Sequence, residues 1–113
     1  MRNIVLIGLG LALAGCVSTQ PVASPEELRA RSEQATAQCR SQPLTSYVAR
    51  AQCLNDAAGI AASVAPNPDL LQRALAARLE IAQRVDDKKI TPEQGGKEYA
   101  KLEAQLAAEA SQR

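Results

Sequence analysis

Pro68-Asp-Leu-Leu-Gln-Arg-Ala-Leu-Ala-Ala-Arg-Leu-Glu-Ile-Ala-Gln-Arg-Val-Asp86, followed by Pro92-Glu-Gln-Gly-Gly-Lys-Glu-Tyr-Ala-Lys-Leu-Glu-Ala-Gln-Leu-Ala-Ala-Glu-Ala110, decides the fold. In the first segment Leu70, Ala74, Ala77, Ile81 and Val85 recur at three- and four-residue spacings, beside Leu71, Leu75, Leu79 and Ala82. In the second, Gly95, Tyr99, Leu102, Leu106 and Ala110 do the same. This is the period of amphipathic helices. Asn67 before Pro68 caps the first, and Thr91-Pro92-Glu93-Gln94 is a capping box for the second. Two helices of about 30 Å joined by a short turn predict an antiparallel hairpin. Leu75 and Leu79 are expected to face inward with Leu102 and Leu106. Tyr99 shares that stripe, so burial is expected, with an exposed partner-contact anchor as the competing reading.

Upstream, Pro66-Asn67-Pro68 ends an earlier helix that carries two stripes. Tyr47, Ala51, Leu54, Ala58 and Ala61 form one; Cys53, Ala57, Ile60 and Val64 form the other. A helix apolar on two faces is sandwiched between neighbours. Before it, Ser24-Pro25-Glu26-Glu27 starts a helix running to about Ser41, whose stripe of Leu28, Ala35 and Cys39 is thin. Cys39 and Cys53 are 14 residues apart. On one straight helix they would stand about 21 Å from each other, whereas a disulfide needs Cα atoms within about 7 Å. Pairing them demands a reversal, which Pro43 and a loop into residues 44–46 supply, with Thr45 or Ser46 as the next N-cap. The fold class is all-α, about four helices in a small disulfide-stapled hairpin or bundle.

Composition excludes more than it assigns. The chain has no histidine, so the commonest general base and any Ser-His or Cys-His nucleophile pair are missing. With no histidine and two cysteines expected to pair, zinc has no ligand set. The turn Asp87-Lys88-Lys89-Ile90-Thr91 lacks the ligands of an EF-hand. No catalytic residue, metal or cofactor is expected. Lysine plus arginine number 13 against 12 acidic residues, and Tyr47 and Tyr99 are the only aromatics, so nucleic acid has neither a basic stripe nor a stacking platform. Gly95 and Gly96 early in the last helix each cost about 1 kcal/mol relative to alanine. The expected reason is close helix approach at Gly95 and tolerance near a frayed end at Gly96. Glu80 and Arg84 are placed for a helical ion pair, and Lys88 and Lys89 offset Asp86 and Asp87 at the helix end.

The N-terminus addresses location. Met1-Arg2-Asn3 leads into an apolar run that, from Ile4 to Val17, spans 14 residues and closes on Leu13-Ala14-Gly15-Cys16. A membrane-spanning helix needs roughly 20, so the layout is that of a cleaved signal peptide. The Leu-Ala-Gly-Cys ending resembles the lipobox of bacterial lipoproteins. That resemblance implies a diacylglyceryl group on the Cys16 thiol and cleavage before Cys16. Val17 follows the cysteine where an aspartate would retain enterobacterial lipoproteins in the inner membrane, so the resemblance implies the outer membrane. The expected organisation is a signal peptide over 1–15, a lipidated tether over 16–23 and a helical periplasmic domain over 24–113. From Gln38 onward, with Ala-Gln-Cys-Leu-Asn-Asp-Ala at 51–57 and Lys-Ile-Thr-Pro-Glu at 89–93, the chain also resembles small alphaproteobacterial envelope proteins. That likeness bears on class and location, not on activity.

The functional expectation is therefore a lipid-anchored structural or adaptor protein working through contacts with an envelope protein, and not an enzyme. The alternatives are a small periplasmic inhibitor or immunity-type lipoprotein and a non-covalent peptidoglycan-associated protein. Exposed Leu or Tyr on a rigid hairpin would favour the adaptor; a protruding loop with polar anchors would favour the inhibitor.

Overall fold

The local signals resolve into helices one by one in the structure, a computed structural model that describes residues 23–113. The expected signal peptide, the lipobox-like stretch and Cys16 lie outside the described residues. The elements are α1 (Pro25–Ser41), α2 (Tyr47–Gly59), a short 3-10 turn (Ala62–Val64), α3 (Pro68–Asp86) and α4 (Pro92–Ser111). The fold is all-α, a small four-helix bundle, with no strand among the described residues.

Three of the four α-helices, α1, α2 and α4, begin where a side chain satisfies a free amide. Ser24 Oγ accepts from the Glu27 N–H at 3.2 Å, without a return bond from the Glu27 side chain. At Thr91 the capping box is complete: Gln94 N–H donates to Thr91 Oγ1 at 3.1 Å and Thr91 N–H donates to Gln94 Oε1 at 2.9 Å. Ser46, the second of the two expected caps, takes the Ala49 N–H at 3.0 Å. Asn67 departs from expectation. It occupies the N-cap position but makes no side-chain cap bond, because its Oδ1 accepts instead from Arg113 at the far end of α4.

The helices pack in chain order, α1 on α2, α2 on α3 and α3 on α4. The sandwiched reading of α2 thus holds: Cys53 and Ala57 face α1, while the Tyr47–Leu54 side faces α3. The α1–α2 hairpin is closed by the Cys39–Cys53 disulfide, with Cα atoms 5.8 Å apart, and by Ser32 Oγ donating to the Ala57 carbonyl at 2.8 Å. Its buried residues are small: Cys39, Ala51 and Ala57. The α3–α4 hairpin buries larger groups, namely Leu70, Ile81, Val85 and Leu106 with Ala82. Gly95 brings the two backbones together, since a Cβ there would stand 3.0 Å from Ile81 Cγ2 and 3.1 Å from Val85 Cγ2. At Gly96 a Cβ meets nothing.

Two helical expectations need correction. The α-helical part of α2 stops at Gly59 rather than reaching Val64. Glycine carries the largest backbone entropy cost in a helix, and the chain must turn there to reach Pro68, doing so through the tighter 3-10 geometry. Leu79 does not point inward but is 36% exposed, while Leu75 and Leu102 are half-buried. Residues four apart advance by about 40° around a helix. The Leu71-Leu75-Leu79 row therefore drifts past the face that meets α2.

Ion pairs fasten the open edge of the α3–α4 hairpin: Arg73 to Glu109 at 2.8 Å, Arg84 to Glu98 at 2.6 Å and Arg113 to Asp69 at 2.7 Å. Arg84 reaches across to Glu98 and also keeps the expected pair with Glu80, at the longer distance of 3.9 Å. The two-pronged hydrogen bonding of Arg113 holds the Asp69 carboxyl at about 2, well below its ordinary value.

A groove walled by both tyrosines

The C-terminal end of α3 does more than terminate a helix. Asp86 turns its carboxylate to α2, where Oδ1 accepts from the Tyr47 N–H at 3.0 Å and Oδ2 from the Val48 N–H at 2.9 Å. A carboxylate that lies unfavourably at the end of its own helix is thereby placed at the favourable start of another. Just beyond it, Lys88 adopts φ 62°, Lys89 N–H donates to the Arg84 carbonyl at 2.9 Å, and Lys88 N–H donates to the Val85 carbonyl at 3.0 Å. This is a Schellman motif with lysine at the position glycine usually takes. These contacts fix where α2 starts and where α4 returns, and so set the two walls of a groove on α3.

The groove encloses about 380 Å³. Ile81, Ala82 and Val85 of α3 make its floor. Ala51 and Leu54 of α2 stand on one side, Gly95 and Gly96 of α4 on the other. The concavity has a simple cause: alanine and glycine line the walls where larger side chains would fill the space. Tyr47 and Tyr99 stand on opposite walls. Each lies against a cation, with the Arg50 guanidinium 5.4 Å from the Tyr47 ring centre and that of Arg78 5.3 Å from the Tyr99 ring centre. Arg78 is held from behind by Asn55, which accepts from it at 3.1 Å and itself donates to the Leu75 carbonyl at 2.9 Å.

Tyr99 is half-buried, between its two sequence readings. Burial pushes its phenol above the ordinary tyrosine range, opposed by the Arg78 charge. The Tyr99 hydroxyl thus stands beside a cation on the groove wall. Tyr47, which sequence reasoning did not single out, is 41% exposed. The signal for it was present, since the chain has two tyrosines and no other aromatic residue.

The groove lining holds more cations than anions. Arg40, at the end of α1, joins Arg50 and Arg78 around it, and Glu103 is the one acidic residue lining it. Arg73, Arg84 and Arg113 are all paired with carboxylates, whereas none of the three groove arginines has a carboxylate oxygen within 4.0 Å among the described residues. A second recess of about 380 Å³, over Leu70, Leu71 and Ala74, shares Arg78, Tyr99 and Glu103 with the first and extends it toward Pro66.

Among the described residues no three His, Cys, Asp or Glu side chains gather as metal ligands. No helix among them is long and apolar enough to cross a membrane. No family model matches the chain, and neither a curated protein nor a solved structure shows significant similarity to it.

Proposed function

We propose that the protein is a lipid-anchored outer-membrane lipoprotein whose helical domain faces the periplasm and serves as a structural or adaptor module through protein–protein contacts. The groove between α2 and α4 carries this reading. It sets an exposed tyrosine on a disulfide-closed hairpin above an apolar floor, and tyrosine and arginine are the residues enriched at binding hot spots. The connections over residues 42–46 and 87–91 are short turns, which supports the adaptor over an inhibitor that acts through a protruding loop. Lipobox-like Leu13-Ala14-Gly15-Cys16 supports the anchor. Two or three acyl chains hold a protein to a membrane where one does not.

The test is metabolic labelling with a fatty acid, with membrane fractionation of wild type and Cys16→Ala. Label and outer-membrane location in wild type, with an unlabelled, unprocessed precursor in the variant, is the expected result. Equal labelling of the two, or sedimentation of wild type with the inner membrane, overturns the anchoring as proposed.

A further inference from the structure

Arg40, Arg50 and Arg78 converge on one apolar groove with no carboxylate oxygen within 4.0 Å of any of them among the described residues, whereas Arg73, Arg84 and Arg113 are paired with carboxylates on the α3–α4 hairpin. Arg40, Arg50 and Arg78 surround an apolar floor, with Glu103 the one acidic residue among the lining. We infer that the groove takes an acidic amphipathic helix of a partner protein, with an apolar side chain on the Ile81–Val85 floor and carboxylates on Arg40, Arg50 and Arg78. This rests on the adaptor reading and adds the chemistry of the partner.

Three observations select that occupant. Charge complementarity calls for carboxylates, since planar guanidinium groups bind them through paired N–H bonds. The floor offers helix side chains and no free backbone edge, so an extended strand finds no ladder to join, whereas a helix brings its own amides already paired. From Ile81 to Val85 the floor runs about 6 Å along α3, roughly one helical turn and the span between anchors at i and i+4. A flat lipid surface does not enter a concave floor, and a nucleic acid backbone calls for a continuous basic stripe rather than three cations around an apolar patch.

The experiment places a photo-crosslinking residue in the full chain in intact cells, at Gly96 in the groove or at Lys101 on the opposite side of α4. Gly96 has open space where a side chain would go. The expected result is an adduct from Gly96 and not from Lys101, mapping by mass spectrometry to a partner segment rich in Asp and Glu around apolar residues. Arg40→Gln with Arg50→Gln, both exposed positions, should lower the yield roughly tenfold. Arg40→Lys with Arg50→Lys keeps the charge and should retain most of it. Adducts from Lys101 alone overturn the groove assignment while leaving an adaptor. A Gly96 adduct to a neutral or basic segment, to a lipid or to a second copy overturns the acidic-helix assignment. No adduct from either position overturns the adaptor reading together with this inference.

Discussion

The two hairpins of this molecule are built to the same plan and held by different means. The α1–α2 hairpin buries Cys39, Ala51 and Ala57 and is closed by a covalent bond. The α3–α4 hairpin buries Leu70, Ile81, Val85 and Leu106, has a complete capping box at the start of α4 and carries three cross-helix ion pairs. Burying a large aliphatic side chain contributes about 1.5–3 kcal/mol, and an alanine far less. A disulfide closing a loop of this size contributes roughly 3 kcal/mol. One cross-link thus stands in for the large side chains that α1 lacks.

The largest effect should come from the aliphatic half. Ile81→Ala should lower stability by about 2–5 kcal/mol in chemical denaturation, while Leu28→Ala on the half-buried stripe of α1 should cost about 1 kcal/mol. Equal losses at the two sites would erase the distinction between the hairpins. Asp86→Ala probes the joint between them. It leaves the Tyr47 and Val48 N–H groups without their acceptor, and a loss of about 2 kcal/mol is expected, since hydrogen bonds to charged groups are the stronger kind. Faster amide exchange at Tyr47 and Val48 should accompany it.

Gly95→Ala and Gly96→Ala sharpen the account of helix approach. Alanine in a helix gains about 1 kcal/mol over glycine, and Gly96→Ala should show that gain in a thermal melt. At Gly95 the added methyl meets Ile81 and Val85, branched side chains with little freedom to move aside. Overpacking should outweigh the gain and leave a net loss of about 1 kcal/mol. The smallest effect belongs to the turn. Lys88→Gly relieves a left-handed backbone conformation that costs a side-chain-bearing residue energy, so stability should rise by about 0.5–1 kcal/mol.

Much of this architecture was legible in the sequence because its signals are local. Caps at Ser24, Ser46 and Thr91, the starting prolines, and the stripe Gly95-Tyr99-Leu102-Leu106-Ala110 each state a helix or its buried face without reference to anything distant. The disulfide was an expectation from two cysteines in a chain read as exported, and their 14-residue separation stated only that such a bond demands a reversal. What escaped depends on partners far along the chain. Asn67 caps nothing with its side chain because Arg113 claims it. Asp86 reads as a misplaced charge until α2 is brought beside it. Leu79 joins an apolar row by spacing, yet whether it is buried depends on how far around α3 the neighbouring helices extend. The groove was half legible. Tyr99 was singled out, but the convergence of Tyr47, Arg40, Arg50 and Arg78 on it is a product of tertiary packing.

The division of labour between covalent and aliphatic stabilisation is tested most directly by hydrogen exchange on the oxidised and the reduced protein. The account predicts that reduction of Cys39–Cys53 removes protection from residues 25–41 while the amides of 68–111 keep theirs. Uniform loss of protection across all four helices, or unchanged protection in α1, would contradict it.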